Sequence, residues 1–181
     1  MYESLATQGR DKIHTGLAGI DSSRLKKLRS AHLRDCFSLI DEMRHKLEFV
    51  ARVRGISFID DAASRSSLST WYALETVEGD MVWIANGATV ERANTSGIKR
   101  LHTLVRNKVK CIICLGDSTA FEMTFGDVVS DIRSAADMHE AVTMAFYSDR
   151  EDYKVLFSPA VENGQPYEEQ GDAFKREVNE L

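Results

Sequence analysis

The stretch Val109-Lys-Cys-Ile-Ile-Cys-Leu-Gly116 contains a continuous apolar run that ends at a glycine, and Val82-Trp-Ile-Ala85 has the same character. Strands that are covered by helices on both faces are apolar at successive positions, because neither face meets water. The two runs therefore predict the central strands of a parallel sheet.

The segments on either side of these runs alternate between strand and helix patterns. The chain reads as a hairpin over 47–53 and 56–59 with a turn at Gly55, followed by helices at 66–76, 96–107, 118–125, 138–148 and 168–181 and by strands at 81–85, 110–115 and 154–158. Repeated alternation of this kind is typical of an α/β fold. Upstream, we predict a polar lead-in over 1–20 and a helical segment over 21–44.

Composition excludes several classes of protein. The 181 residues are 43% apolar and carry a net charge of −5, which gives no electrostatic reason to bind nucleic acid. No window approaches the roughly 18 consecutive apolar residues that span a bilayer, so membrane insertion is not predicted. Three cysteines are too few for a disulfide framework and favour a reducing cytoplasm.

No metal site is predicted from the histidines and cysteines. The five histidines have no pair at the i, i+4 spacing that places two ligands on one helix face. Cys111 and Cys114 lie within one predicted strand, where residues three apart point to opposite faces. We therefore interpret both cysteines as buried apolar residues. No phosphate-binding glycine loop with a following lysine is present either.

Polar residues follow the predicted strands, where ligands gather in parallel sheets. The loop Asp60-Asp-Ala-Ala-Ser-Arg-Ser-Ser67 enters a helix with two carboxylates, a guanidinium and three hydroxyls. One interpretation is helix capping, since Ser and Asp are preferred caps. The other is an anion site, in which the helix N-terminus and Arg65 bind a phosphate or carboxylate.

Several short motifs, in their order and spacing, resemble the C-terminal domain of the Mur ligases, and among these the ligases that add D-glutamate. The resemblance covers about Leu33 to Leu181. The motifs are His45-Lys-Leu-Glu-Phe-Val50, Gly55-Ile-Ser-Phe-Ile-Asp-Asp61, Ile84-Ala-Asn-Gly87, Val109 to Gly116, Met138-His-Glu-Ala-Val142, Leu156-Phe-Ser-Pro-Ala160 and Tyr167-Glu-Glu-Gln-Gly-Asp-Ala-Phe174. The resemblance implies a domain over 45–181: a Rossmann-like three-layer sandwich, with a six-stranded, mostly parallel sheet opened by a hairpin and helices on both faces.

The chain departs from the family at positions that the resemblance makes functional. The family's Asn-Asp-Ser-Lys-Ala-Thr-Asn is Asp60 to Ser66 here, so that Ala63 stands for the lysine and Arg65 for the threonine. Lys46 stands for an arginine, and Asn86 to Arg92 replaces a Gly-Gly-x-Asp-Lys-Gly motif. No catalytic residue is predicted, and the expected ligand-binding residues are Lys46, Asp60, Asp61, Ser64, Arg65, Asn86 and Ser158.

Three functions remain open. In the first, the chain is a stand-alone, non-catalytic binding or regulatory protein of peptidoglycan synthesis, which docks a Mur ligase or another wall-synthesis protein. In the second, it is the C-terminal part or subunit of an ATP-dependent ligase. In the third, it binds a nucleotide or small anion at the strand ends through Arg65, Lys46 and the helix N-termini. No cofactor is expected on the chain alone, and ATP and Mg²⁺ only together with a separate ATPase domain.

Overall fold

The structure is a computed structural model that describes residues 44–90, 95–148 and 153–181. The predicted lead-in over 1–20 and the helical segment over 21–44 lie outside these residues, apart from Arg44. No helix among the described residues combines the length and the apolar character that a membrane span requires.

Strands and helices alternate along the described chain, as the sequence predicts. The elements are β1 Glu48–Val53, β2 Ile56–Asp60, α1 Ser67–Thr76, β3 Met81–Asn86, α2 Thr95–Lys99, α3 His102–Lys108, β4 Val109–Leu115, α4 Thr119–Phe125, β5 Ile132–Ala135, α5 Met138–Phe146, β6 Lys154–Phe157 and α6 Tyr167–Asn179.

The strands form one sheet in the order β1-β2-β6-β3-β4-β5. Only β1 and β2 are antiparallel, and every other neighbouring pair is parallel. The β1–β2 hairpin turns at Arg54 and Gly55, whose φ angles of 48° and 89° are both positive. Two positive φ angles are typical of the tight turns that match the twist of a hairpin. The predicted mostly parallel sheet with an N-terminal hairpin is confirmed.

Helices cover both faces of the sheet, and the central strands supply both cores. Trp83 packs on one face with Leu74 and Phe121 of α1 and α4, while Ile84 packs on the other with Phe174 of α6. Neighbouring residues of β3 thus enter different cores, as strands covered on both sides require. The molecule is the three-layer sandwich that the sequence predicts.

The two described cysteines lie on opposite faces of β4. Cys114 belongs to the core beneath α1 to α4, whereas Cys111 belongs to the core beneath α5 and α6. Both thiols are buried, and burial raises the pKa of Cys114 above its ordinary value. Because each thiol is buried in one of the two cores, the interpretation of both residues as core residues is confirmed.

The structure differs from the sequence pattern at two elements. The helix predicted over 96–107 is two short helices that meet at Arg100 and Leu101. The pattern also missed β5, a four-residue edge strand whose Arg133 and Ser134 are exposed. An edge strand of this kind has no apolar run to detect, because it is covered less completely than the central strands.

Candidate functional site

The carboxyl ends of β2, β6 and β3 are neighbours in the sheet and bring Asp61, Ser158 and Asn86 together. Backbone hydrogen bonds continue across these ends: Asp61 N–H donates to the Phe157 carbonyl at 2.8 Å and Ser158 N–H to the Ile84 carbonyl at 3.0 Å. The hydrogen bonding of the sheet therefore continues to Asp61 and Ser158, the first residues after β2 and β6. The sequence correctly placed these residues at one edge of the sheet.

A buried ion pair lies at the centre of this edge. The Lys46 ammonium is 2.7 Å from Asp61 Oδ1, and the Lys46 side chain is only 6% exposed. Ser158 Oγ donates to Asp61 Oδ2 at 2.8 Å, and Lys46 Nζ also donates to Ser64 Oγ. Burial raises the pKa of the Asp61 carboxyl above its ordinary value, while the Lys46 charge and the seryl hydroxyls oppose that rise.

The hydroxyl of Thr70 in α1 completes the same network. It lies 2.9 Å from Ser158 Oγ and 3.3 Å from the Ser64 carbonyl. Asp61, Ser64, Thr70 and Ser158 are all completely buried. Every charge and hydroxyl of the network thus finds its partner within the protein.

A second buried pair joins His45 to Asp60. His45 Nδ1 is 2.6 Å from Asp60 Oδ2, and both side chains are completely buried. The ring fits because position 171 of α6 is a glycine: a Cβ there would lie 2.1 Å from His45 Nδ1. Burial raises the pKa of Asp60, whereas the hydrogen bond from His45 lowers it.

Arg65 does not join either buried pair. Its side chain is 46% exposed and lies 3.4 Å from Glu162 Oε1, with its guanidinium over the Tyr167 ring at 5.7 Å. It borders an open cleft of about 270 Å³. The cleft is lined by Arg65, Ser66, Ser67, Ile98, Ala160, Val161 and Glu162.

The N-terminus of α1, which opens beside this cleft, is capped by its own side chains. Ser66 Oγ accepts a hydrogen bond from Ser69 N–H at 3.3 Å, and Ser69 Oγ accepts one from Ser66 N–H at 3.2 Å. This reciprocal arrangement is a capping box. Of the two interpretations of the Asp60–Ser67 loop, helix capping is therefore confirmed for Ser66.

The Asn86 side chain holds the loop that follows β6. Its side-chain amide donates to the Val161 carbonyl at 2.9 Å. The Asn86 Oδ1 atom is buried without a hydrogen-bond partner among the described residues. The predicted site residues therefore do not form one open site. Lys46, Asp61 and Asp60 lie in buried pairs, Asn86 holds a loop, and Arg65 is exposed.

Sequence reasoning did not identify His45, Glu48, Thr70 and Gly171 as parts of this region. His45 and Asp60 are 15 positions apart and meet because the β1–β2 hairpin folds back on itself. A search for histidines at helical spacing does not detect such a pair. Gly171 lies inside a helix pattern, where a glycine is unfavourable without a packing reason.

Comparison with known proteins gives a consistent result, although no family profile matches the chain. The chain is 35% identical over 182 residues to UDP-N-acetylmuramoylalanine--D-glutamate ligase of Christiangramia forsetii, and 32% identical over 183 residues to the ligase of the same name from Porphyromonas gingivalis. These matches cover 98% and 99% of the chain but only 40% of each relative. They extend N-terminally beyond Leu33.

A solved structure shares the fold. The MurF ligase of Thermotoga maritima, solved in complex with ADP, matches 76% of this chain and 32% of its own length with a TM-score of 0.50 and 12% sequence identity. The similarity in fold and the similarity in sequence therefore point to the same group of enzymes, the Mur ligases. Nearly the whole chain is therefore similar to part of the Mur ligases that add D-glutamate, which is consistent with the C-terminal domain of these enzymes.

Proposed function

We propose that this chain is a non-catalytic, Mur-ligase C-terminal-like domain that acts in peptidoglycan synthesis by binding rather than by chemistry. The observation that carries the proposal is the buried Lys46–Asp61 pair, 2.7 Å between Nζ and Oδ1. A catalytic or substrate-binding carboxylate must face the substrate, and this one faces the protein's own ammonium.

The remaining polar groups at the strand ends support the same proposal. Asp60, Ser64 and Ser158 are completely buried and bonded to other protein groups. By resemblance, Ala63 and Arg65 stand where family members have the lysine and threonine that hold the amino-acid substrate. The methyl group of Ala63 has no charge to bind the carboxylate of an amino-acid substrate. The contact that the lysine makes in family members is therefore missing here.

The exposed cleft beside Arg65 is the surface on which we propose that binding occurs. The guanidinium offers several donors in a planar fork that matches phosphate or carboxylate oxygens. The proposed ligand is therefore a small anion or nucleotide, or an acidic group on a partner such as a Mur ligase or another wall-synthesis protein. A reducing cytoplasm remains our proposed location, as the few cysteines suggest.

A second function is favoured by the comparisons. Identity of 32–35% to D-glutamate ligases over 98–99% of the chain is the relation expected of a working ligase part. In that case ATP and Mg²⁺ would be held by a separate ATPase domain, and this chain would supply the C-terminal part of an ATP-dependent ligase.

A ligation assay separates the two functions. The chain is mixed with ATP, Mg²⁺, D-glutamate and UDP-N-acetylmuramoyl-L-alanine, with and without a D-glutamate ligase whose own C-terminal domain has been removed. The proposal predicts no phosphate release that depends on both substrates in either mixture. Restored release in the second mixture would establish the ligase part instead. The matched variant is Ala63→Lys/Arg65→Thr, which returns both family residues to their positions.

Binding at the cleft is tested by titrating wild type and Arg65→Ala with phosphate, ADP and ATP. We expect wild type to bind at least one of these anions and Arg65→Ala to bind it more weakly. The affinity should also fall as salt rises, because the cleft is open to solvent. Equal binding by both proteins would remove Arg65 from the proposed site.

A further inference from the structure

Three side chains that are able to ligate a metal converge on one face of the β1–β2 hairpin. Each of His45, Glu48 and Asp60 offers one donor atom, and the three atoms lie within 4.8 Å of one another. The hairpin explains the convergence: Glu48 and Asp60 are directly paired across the two strands. Residues opposite each other in an antiparallel pair share a face, so both carboxylates point the same way.

The two ring nitrogens of His45 have different surroundings, as a metal-binding imidazole requires. His45 Nδ1 is 2.6 Å from Asp60 Oδ2 and faces the cluster. His45 Nε2 is buried and has no hydrogen-bond partner within 44–90, 95–148 and 153–181, and Asp172 Oδ1 lies 3.5 Å from it. Histidines that bind metals through one nitrogen usually donate the other N–H to a carboxylate, which fixes the ring and strengthens the ligand. A metal at Nδ1 would place the ring proton on Nε2, where Asp172 is the available acceptor.

The cluster already attracts a cation. The Lys175 ammonium of α6 is 2.6 Å from Glu48 Oε2 and 3.8 Å from Asp60 Oδ2. This ammonium compensates the two carboxylates in the structure as it stands. Lys175 is 22% exposed and Glu48 is 44% exposed, so the ammonium has a route to solvent along a flexible stem. A divalent ion that displaces it would gain two carboxylates and one imidazole as ligands.

We propose that His45, Glu48 and Asp60 form a binding site for a divalent transition-metal ion of the zinc class, which competes with the Lys175 ammonium. Imidazole together with carboxylates suits zinc, whereas magnesium and calcium prefer oxygen ligands alone. Ligand atoms around tetrahedral zinc are roughly 3.3 Å apart, as bond lengths near 2.0 Å require. The proposal requires that the Glu48 side chain, which is 44% exposed, rotates to bring the three donors, which lie within 4.8 Å of one another, to that spacing. Solvent on the Glu48 side supplies the fourth ligand.

The test is zinc binding by the full chain, measured by competition with a chromophoric chelator. We expect one zinc ion per chain. Lys175→Met should bind zinc about tenfold more tightly, because the competing charge is removed, and Glu48→Gln about tenfold more weakly, because a ligand is lost. Zinc should raise the thermal unfolding midpoint in the same order, since an ion that binds only the folded state stabilises it.

Two other histidines provide matched controls. His102 pairs with Asp127 at 3.0 Å and His139 with Glu177 at 3.0 Å, and neither histidine belongs to the cluster. His102→Ala and His139→Ala should leave zinc affinity unchanged. The proposal is overturned if neither wild type nor Lys175→Met binds zinc, if Glu48→Gln binds as tightly as wild type, or if either control variant abolishes binding. Circular dichroism confirms that each variant is folded, and Glu48 and Lys175 are exposed enough to be replaced without opening the core.

Discussion

Replacing Lys46 by methionine isolates the contribution of the buried ion pair. The variant retains most of the volume of the side chain but removes the ammonium that lies 2.7 Å from Asp61 Oδ1. Asp61 is then a buried carboxylate with no cation in contact. Lys46→Met therefore tests whether the charge of Asp61 is compensated from within the protein.

The structure sets the expected magnitude. Removing one partner of a buried ion pair costs about 3–5 kcal/mol of unfolding free energy. Asp61 keeps the Ser158 hydroxyl at 2.8 Å and the Leu47 N–H at 3.3 Å, so the loss should lie near the lower limit, about 3 kcal/mol. The double variant Lys46→Met/Asp61→Asn has no unpaired charge and should recover more than half of this loss.

The pH dependence has a definite sign. Without Lys46, only hydrogen bonds from Ser64 and Ser158 oppose the burial that raises the pKa of Asp61, so the folded protein binds a proton more tightly than the unfolded chain does. A folded-state pKa above the unfolded value means that stability is greatest at low pH and is lost as pH rises through the folded-state pKa. Lys46→Met should therefore be more stable, relative to wild type, at pH 5 than at pH 8.

Urea unfolding followed by circular dichroism measures all four proteins of the cycle: wild type, the two single variants and the double variant. A loss below about 1 kcal/mol in Lys46→Met, the value typical of an exposed pair, would refute the buried-pair reasoning. Additive effects in the double variant would refute the coupling between the two residues.

Other variants test the helices around this site. Gly171→Ala should destabilise by about 3 kcal/mol, although alanine normally favours a helix, because its Cβ would lie 2.1 Å from His45 Nδ1; a stabilised variant in urea unfolding would contradict the packing. Lys108→Met should cost about 1 kcal/mol in the same measurement, because its ammonium donates to three carbonyls at the C-terminus of α1; no loss would show that water replaces it fully. Glu177 raises the pKa of His139 in the folded protein. Their pairing should therefore stabilise the fold at pH values below the unfolded-state pKa of His139, and this stabilisation should be lost as pH rises through the folded-state pKa. NMR titration should show the His139 pKa falling in Glu177→Gln, and an unchanged value would refute the pair.

Most of the fold could be predicted from the sequence because the central strands are buried on both faces. The apolar runs at Val82–Ala85 and Cys111–Leu115 and the Arg54-Gly55 turn fixed the sheet's centre and its opening hairpin. The edge strand β5 could not be found in this way, since Arg133 and Ser134 are exposed and leave no apolar pattern.

The candidate site could be predicted from the sequence only in part. That Asp61, Asn86 and Ser158 share one edge follows from parallel topology, and the sequence predicted it. That Asp61 is paired with Lys46 does not follow, because a lysine far from the loop in sequence must bend into the interior to reach it. The sequence also predicted Arg65 in the same ligand site as residues that are buried in the structure, whereas the Arg65 side chain is nearly half exposed. Side-chain pairing across a hairpin is set by tertiary packing, which a single sequence does not display.

Carbon-detected NMR of the side-chain carboxyls, with Asp61 assigned through Asp61→Asn, tests most directly whether this site binds substrate. The Asp61 resonance should stay unchanged on addition of ATP, Mg²⁺ and D-glutamate, because the buried carboxylate remains bonded to Lys46 and Ser158. A saturable shift of that resonance would show that Asp61 faces the ligand, and a non-catalytic function for this chain would then be wrong.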